Sequence, residues 1–188
     1  MSAMSFLKIA VLIGSLLFPI EISAADYRDE KGTWMKQLFS SSSAEADQAA
    51  IHLFTDADLS IETLLKYRSA SEPFHGTFLR HPARSVLEER RSTVGMVSIY
   101  LVEAIRRGDM FFAYRFYPSA PGLTGSEKDD ALMQATTAKA YFEWWEKLKA
   151  LKDSGERQRA FFDSYPLEGS EISWSASSGR WGHPKKRQ

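Results

Sequence analysis

The stretch SVLEERRSTVGMVSIYLVEAIRR, residues 85–107, decides the fold. Val94, Val97, Leu101, Ala104 and Ile105 recur at helical spacing and form one stripe, while Met96, Ile99, Tyr100 and Val102 widen it nearly all round. A helix apolar on every side must be surrounded by other elements, so the pattern predicts a central buried helix over 85–107. Arg106 and Arg107 suit the negative end of its dipole, and Gly108 followed by Asp109 predicts its end. Glu103 lies inside the apolar run, where an unpaired carboxylate is costly. The two arginines stand three and four residues further on, and a structural ion pair is expected.

Working outward, the patterns keep a helical period. Trp34, Met35, Leu38 and Phe39 share one face of a short helix. The serine run 40–43 ends it, with Ser43 as the expected cap of a second helix carrying Ala46, Ala49, Ala50, Leu53 and Phe54. Asp58 is expected to cap a third, with Ile61, Leu64, Leu65 and Tyr67. Residues 69–84, broken by Pro73, Gly76 and Pro82, read as a long connection. The aromatic run 110–117 is open between a short strand and a helical turn. A capping box at Ser126 and Asp129 opens a long helix with Leu132, Ala135, Ala138, Phe142, Trp145 and Leu148 on one stripe and Tyr141, Trp144, Leu148 and Leu151 on its neighbour. A last helix spans 156–165, and Ile172 with Trp174 could make a short strand.

These elements predict an all-α chain: a single compact helical domain over 26–166 with five to six helices, preceded by a leader over 1–25 and followed by an irregular segment with a basic tail over 167–188. The helix pair before the connection, with Arg84, Glu88, Glu89, Arg90 and Arg91 leading into the apolar helix, resembles HEAT-type repeat units across residues 34–107. The regular Pro, Asp and Arg placements of such repeats are missing, so the resemblance implies irregular helix pairs at most.

The leader rests on Lys8, an apolar run over 9–18, Pro19 and the small residues Ser23, Ala24 and Ala25. The run is about half the ~20 apolar residues that a membrane-spanning helix needs. It reads as a cleavable secretory signal cut near Ala24 or Ala25, which leaves no stable membrane anchor. The 188 residues contain no cysteine. An exported chain without disulfides is ordinary in a bacterial periplasm and unusual among small eukaryotic secreted domains, so a periplasmic or secreted location is expected.

Lys plus Arg and Asp plus Glu are each 24, which leaves no net field to draw the chain onto nucleic acid. Without cysteine there is no thiolate zinc site and no cysteine nucleophile. No phosphate loop, nucleophile elbow, zinc-protease motif or dinucleotide fingerprint is present, and no cofactor is expected. Asp56 and Asp58 begin like a calcium loop, but the sixth position is Ile61 and the twelfth is Tyr67, so they read as a helix start. His75 and His81 share the connection with Glu72, and their spacing matches no metal-ligand pattern, so no metal is assigned.

The residues singled out for contact are Trp144, Tyr141, Glu88 and Arg91. Adjacent tryptophans point ~100° apart on a helix, and Trp145 continues the Leu132 stripe, which leaves Trp144 as the expected exposed anchor. The composite expectation is an exported helical factor that binds another protein of the cell envelope, as an inhibitor or immunity-type protein would. The alternative is an envelope-acting hydrolase with a carboxylate pair drawn from Glu88, Glu89 and Glu103, since general acid and base work needs two carboxylates across one cleft.

Overall fold

A computed structural model describes residues 32–77, 92–112, 118–121 and 127–174. Its helices are α1 (32–38), α2 (Ser43–Thr55), α3 (Ala57–Lys66), α4 (Val94–Arg107), α5 (Glu127–Ala150) and α6 (Ser154–Asp163), joined by a two-stranded pairing of β1 (Pro118–Ser119) with β2 (Ser173–Trp174). The fold is all-α and compact. No helix among the described residues is long and apolar enough to cross a membrane.

Helix α4 is the centre of the molecule: every residue from Val94 to Arg106 is buried. Helices α2, α3, α5 and α6 all pack against it, and α3 also meets α5. It starts at Val94 rather than near Ser85, and the backbone shows why. Thr93 is extended (ψ 155°), bridges to Pro73, and accepts the Met96 amide on its hydroxyl. The Val94 and Gly95 amides donate to the Glu72 and Ala70 carbonyls. The first-turn donors of a buried helix are thus satisfied by the connection that precedes it. At the far end Gly108 takes the left-handed conformation (φ 65°) and returns its amide to the Ala104 and Ile105 carbonyls, as expected of a helix-ending glycine.

Two other helix starts also differ from the expected positions. Ser42, not Ser43, caps α2 by accepting the Glu45 amide, and α3 begins after Asp56, which places Asp58 inside the helix. Between the aromatic residue Phe112 and Trp174 the chain closes on itself: Pro118 pairs with Trp174 and Ser119 with Ser173, antiparallel. The described part of the aromatic run, 110–112, is turn and bend, and 113–117 lie outside the described residues.

Helix α5 buries Met133, Thr137, Ala138, Tyr141, Trp144 and Leu148. It meets α4 at Gln134 beside Thr93 and Gly95 and again at Tyr141 beside Glu103, so the two helices run in the same direction. Gly95 is required at the first contact, because a Cβ there would lie 2.4 Å from the Gln134 side-chain nitrogen and 2.6 Å from the Ala70 carbonyl oxygen.

Candidate functional site

The last turn of α4 carries the densest chemistry. Glu103 is fully buried, and each of its oxygens accepts twice. Oε1 accepts from Arg106 Nη2 at 2.6 Å and Arg107 Nε at 2.5 Å, while Oε2 accepts from Arg106 Nε at 2.8 Å and the Tyr141 hydroxyl at 2.7 Å. That accounts for all of the roughly four lone-pair positions of a carboxylate. Tyr141 in turn accepts the Trp174 indole N–H at 2.8 Å. Arg106 spends its remaining Nη1 on the Phe162 and Ser164 carbonyls, at 3.5 and 3.4 Å. Four segments therefore converge on one carboxylate: α4, α5, the end of α6 and β2.

The electrostatics follow from this closure. Burial, reinforced by the negative charge of Glu103, pushes the Tyr141 hydroxyl well above the ordinary tyrosine range. The same two causes push Tyr165 up to about 12. Burial alone would depress Arg106, but its hydrogen bond and charge contact with Glu103 more than offset that and hold it above its usual value. Arg107, one-fifth exposed at its side chain, lies over the Phe112 ring at 4.9 Å. The ion pair expected from spacing is present. Glu103 is closed off from solvent, and its acceptor positions are all engaged within the fold.

The expected exposed anchor is corrected. Trp144 is buried at 6% exposure, donates its indole N–H to Ser164 Oγ at 2.7 Å, and packs on Phe161 at 5.5 Å between ring centroids. Trp145 is the more exposed of the pair, and Leu132 and Phe142, expected in the core with it, are 59% and 37% exposed. The inner face is Met133, Thr137, Ala138, Tyr141, Trp144 and Leu148 with Gln134 half-buried beside it, because Gln134 and Tyr141 find polar partners at Thr93 and Glu103 that an apolar pattern does not reveal. Tyr141 is interior as well, so neither residue offers a contact surface. Glu88, Arg91 and His81 lie outside the described residues, as do 1–25 with the expected leader. His75 is exposed, and among the described residues no three His, Asp or Glu are grouped to hold a metal ion.

Among the described residues, two aromatics that the periodicity did not mark for contact face solvent near this end of α4. Phe111, in the turn after α4, is 64% exposed, and Phe162, at the end of α6, is 52% exposed. The backbone of each is held by a hydrogen bond, and that of Phe162 reaches the charged cluster. The Phe111 amide donates to Asp109 just beyond α4, and the Phe162 carbonyl accepts from Arg106. The sequence signal was present in Phe111 and Phe112 and in Phe161 and Phe162: in each pair of adjacent aromatics one packs inward and the other is left outside. Comparison of the chain with protein-family models, curated protein sequences and solved structures finds no match.

Proposed function

We propose that this chain is an exported, periplasmic helical factor that works by binding another protein of the cell envelope, in the manner of an inhibitor or immunity protein. The observation that carries the reading is the pair of solvent-facing rings, Phe111 and Phe162, at the end of α4 where Glu103 joins α4 to α5. Large aromatics held by rigid backbone make strong anchors, because little conformational freedom is left to lose on association. The leader-like sequence over 1–25 and the balanced charge support the location and the class of partner. The hydrolase alternative loses Glu103, whose oxygens are all engaged within the fold.

The test uses the producing cell. A tagged chain and its Phe111→Ser/Phe162→Ser variant are isolated from the periplasm, sequenced from the N-terminus, and compared for recovered partner at equal Tm. The reading expects a start at Ala25 or Asp26 and a recovered envelope protein whose yield falls roughly tenfold or more in the variant, equivalent to ~1.4 kcal/mol. An intact Met1 in the cytoplasmic fraction contradicts the export. Equal recovery by the two chains contradicts the surface.

A further inference from the structure

Residues 167–174 meet the body at separated points. Leu167 and Trp174 are buried at 2% and 5% exposure, and Glu168, Gly169, Ser170 and Glu171 between them are exposed. The Ser170 hydroxyl is spent within the segment, donating to the Leu167 carbonyl and accepting the Ile172 amide. The attachment is completed by a two-residue pairing with β1, by Ile172 packed at the edge of the core, and by the hydrogen bonds of Trp174 to Tyr141 and Tyr165. By contrast, α4 is buried from Val94 to Arg106 and packs against four other helices.

The walls of the site that Trp174 occupies come from other parts of the chain. Tyr100 and Phe112 stack at 4.7 Å, and the Trp174 ring stands edge-on to both, at 5.7 and 5.5 Å. Tyr100 is fixed independently by donating its hydroxyl to the Met110 carbonyl at 2.8 Å. Tyr141 is fixed by donating to Glu103, and its oxygen is thereby oriented to accept an N–H. Two aromatic faces and one aimed acceptor, all held by other parts of the molecule, form a socket for a planar ring bearing an N–H donor.

We infer that residues 167–174 are a releasable clasp, in which Trp174 is the tethered occupant of a preformed indole socket built from Tyr100, Phe112 and Tyr141. Local opening of this kind frees segments with few buried anchors while the enclosed core stays folded. The inference stands apart from the binding surface proposed above, since it concerns an interior contact and requires no partner.

Hydrogen exchange on the full chain tests the release. The Trp174 indole proton is expected to be protected about 100-fold less than the Leu101 backbone amide in the middle of α4, and to respond weakly to denaturant. Equal protection with equal denaturant dependence would show that the clasp opens only when the whole fold does, and would overturn the inference. The socket is tested with Trp174→Ala and free indole. Indole should raise the Tm of the variant and leave the wild type unchanged, as an emptied apolar site takes up an aromatic of matching shape. N-methylindole, which lacks the donor, should act more weakly, and adding Tyr141→Phe should abolish the difference between the two probes. A variant that is unfolded, or one that is folded and indifferent to indole, would mean that the socket is not preformed.

Discussion

The two ends of the α4–α5 seam are held by different chemistry. At the N-terminal end the contact is neutral: Thr93 donates to Gln134 Oε1 at 2.7 Å, and the Gln134 amide donates to the Ala70 and Arg68 carbonyls at 3.1 and 3.3 Å. At the C-terminal end it is ionic, with Glu103 held by two arginines and a tyrosine. The neutral cluster mostly takes up backbone groups left over at a helix start and a turn. Its members would find water if separated, so its net contribution is that of ordinary hydrogen bonds. The ionic cluster bears the cost of desolvating charge, and such clusters are weak sources of stability but severe when broken. The difference teaches where the molecule has a choice of arrangement and where it has none. Glu103 has a single satisfactory environment, and building it requires α5 and the end of α6 each to arrive in one register.

The largest effect should come from breaking the ionic end. Glu103→Ala leaves Arg106 buried without its partner and is expected to destabilise by about 3 to 5 kcal/mol in denaturant unfolding. A loss under about 1 kcal/mol would mean that the arginines readily find water and that the two ends are alike. Trp144→Ala should cost a similar ~3 to 5 kcal/mol, since it removes a buried ring and the N–H bond to Ser164. A Trp144 variant of wild-type stability would restore the exposed-anchor reading. At the neutral end, Gln134→Ala should cost about 1 to 3 kcal/mol. A loss equal to that of Glu103→Ala would erase the contrast between the two ends.

A change of pH should reach the ionic end alone. Tyr141 and Tyr165 are held above their ordinary value, Tyr165 up to about 12, by burial and by the charge of Glu103. The unfolded chain loses these protons near pH 10 and the folded chain loses them later. Their contribution is therefore complete below pH 10, and falls away as pH rises from 10 through 12. Tyr165→Phe should flatten the decline in Tm over that interval, while Gln134→Ala should leave its slope as in the wild type. An unchanged slope in the Tyr165 variant would contradict the assignment.

Much of the fold was legible in the sequence. The all-round apolar pattern of 94–105 placed α4 at the centre, Gly108 marked its end, and the spacing of Glu103 to Arg106 and Arg107 named the ion pair, because each signal is local. The start of α4 was hidden because Thr93 is fixed by Pro73 and Glu72 some twenty residues earlier in the chain. Helix α5 was misread because two apolar stripes competed for the core and the deciding partners lie far away. Ser164 takes the Trp144 N–H, whereas Trp145 has none for its own among the described residues. Phe142, apolar by type, is turned outward under the Arg68 guanidinium at 4.1 Å. The candidate surface was less legible still, since periodicity says which residues share a face and not which of two adjacent phenylalanines is left uncovered.

The central claim is that Glu103 joins α4 to α5 through Tyr141, as one energetic unit separate from the neutral end. A double-mutant cycle measures this directly. Glu103→Gln, Tyr141→Phe, Gln134→Ala and the two pairings with Tyr141→Phe are unfolded in denaturant under identical conditions. The account predicts a coupling energy of about 1 to 3 kcal/mol between Glu103 and Tyr141, and additivity within about 0.5 kcal/mol between Gln134 and Tyr141, two turns apart on the same helix. A Glu103–Tyr141 coupling within about 0.5 kcal/mol of zero, or a Gln134–Tyr141 coupling as large as it, would contradict the claim.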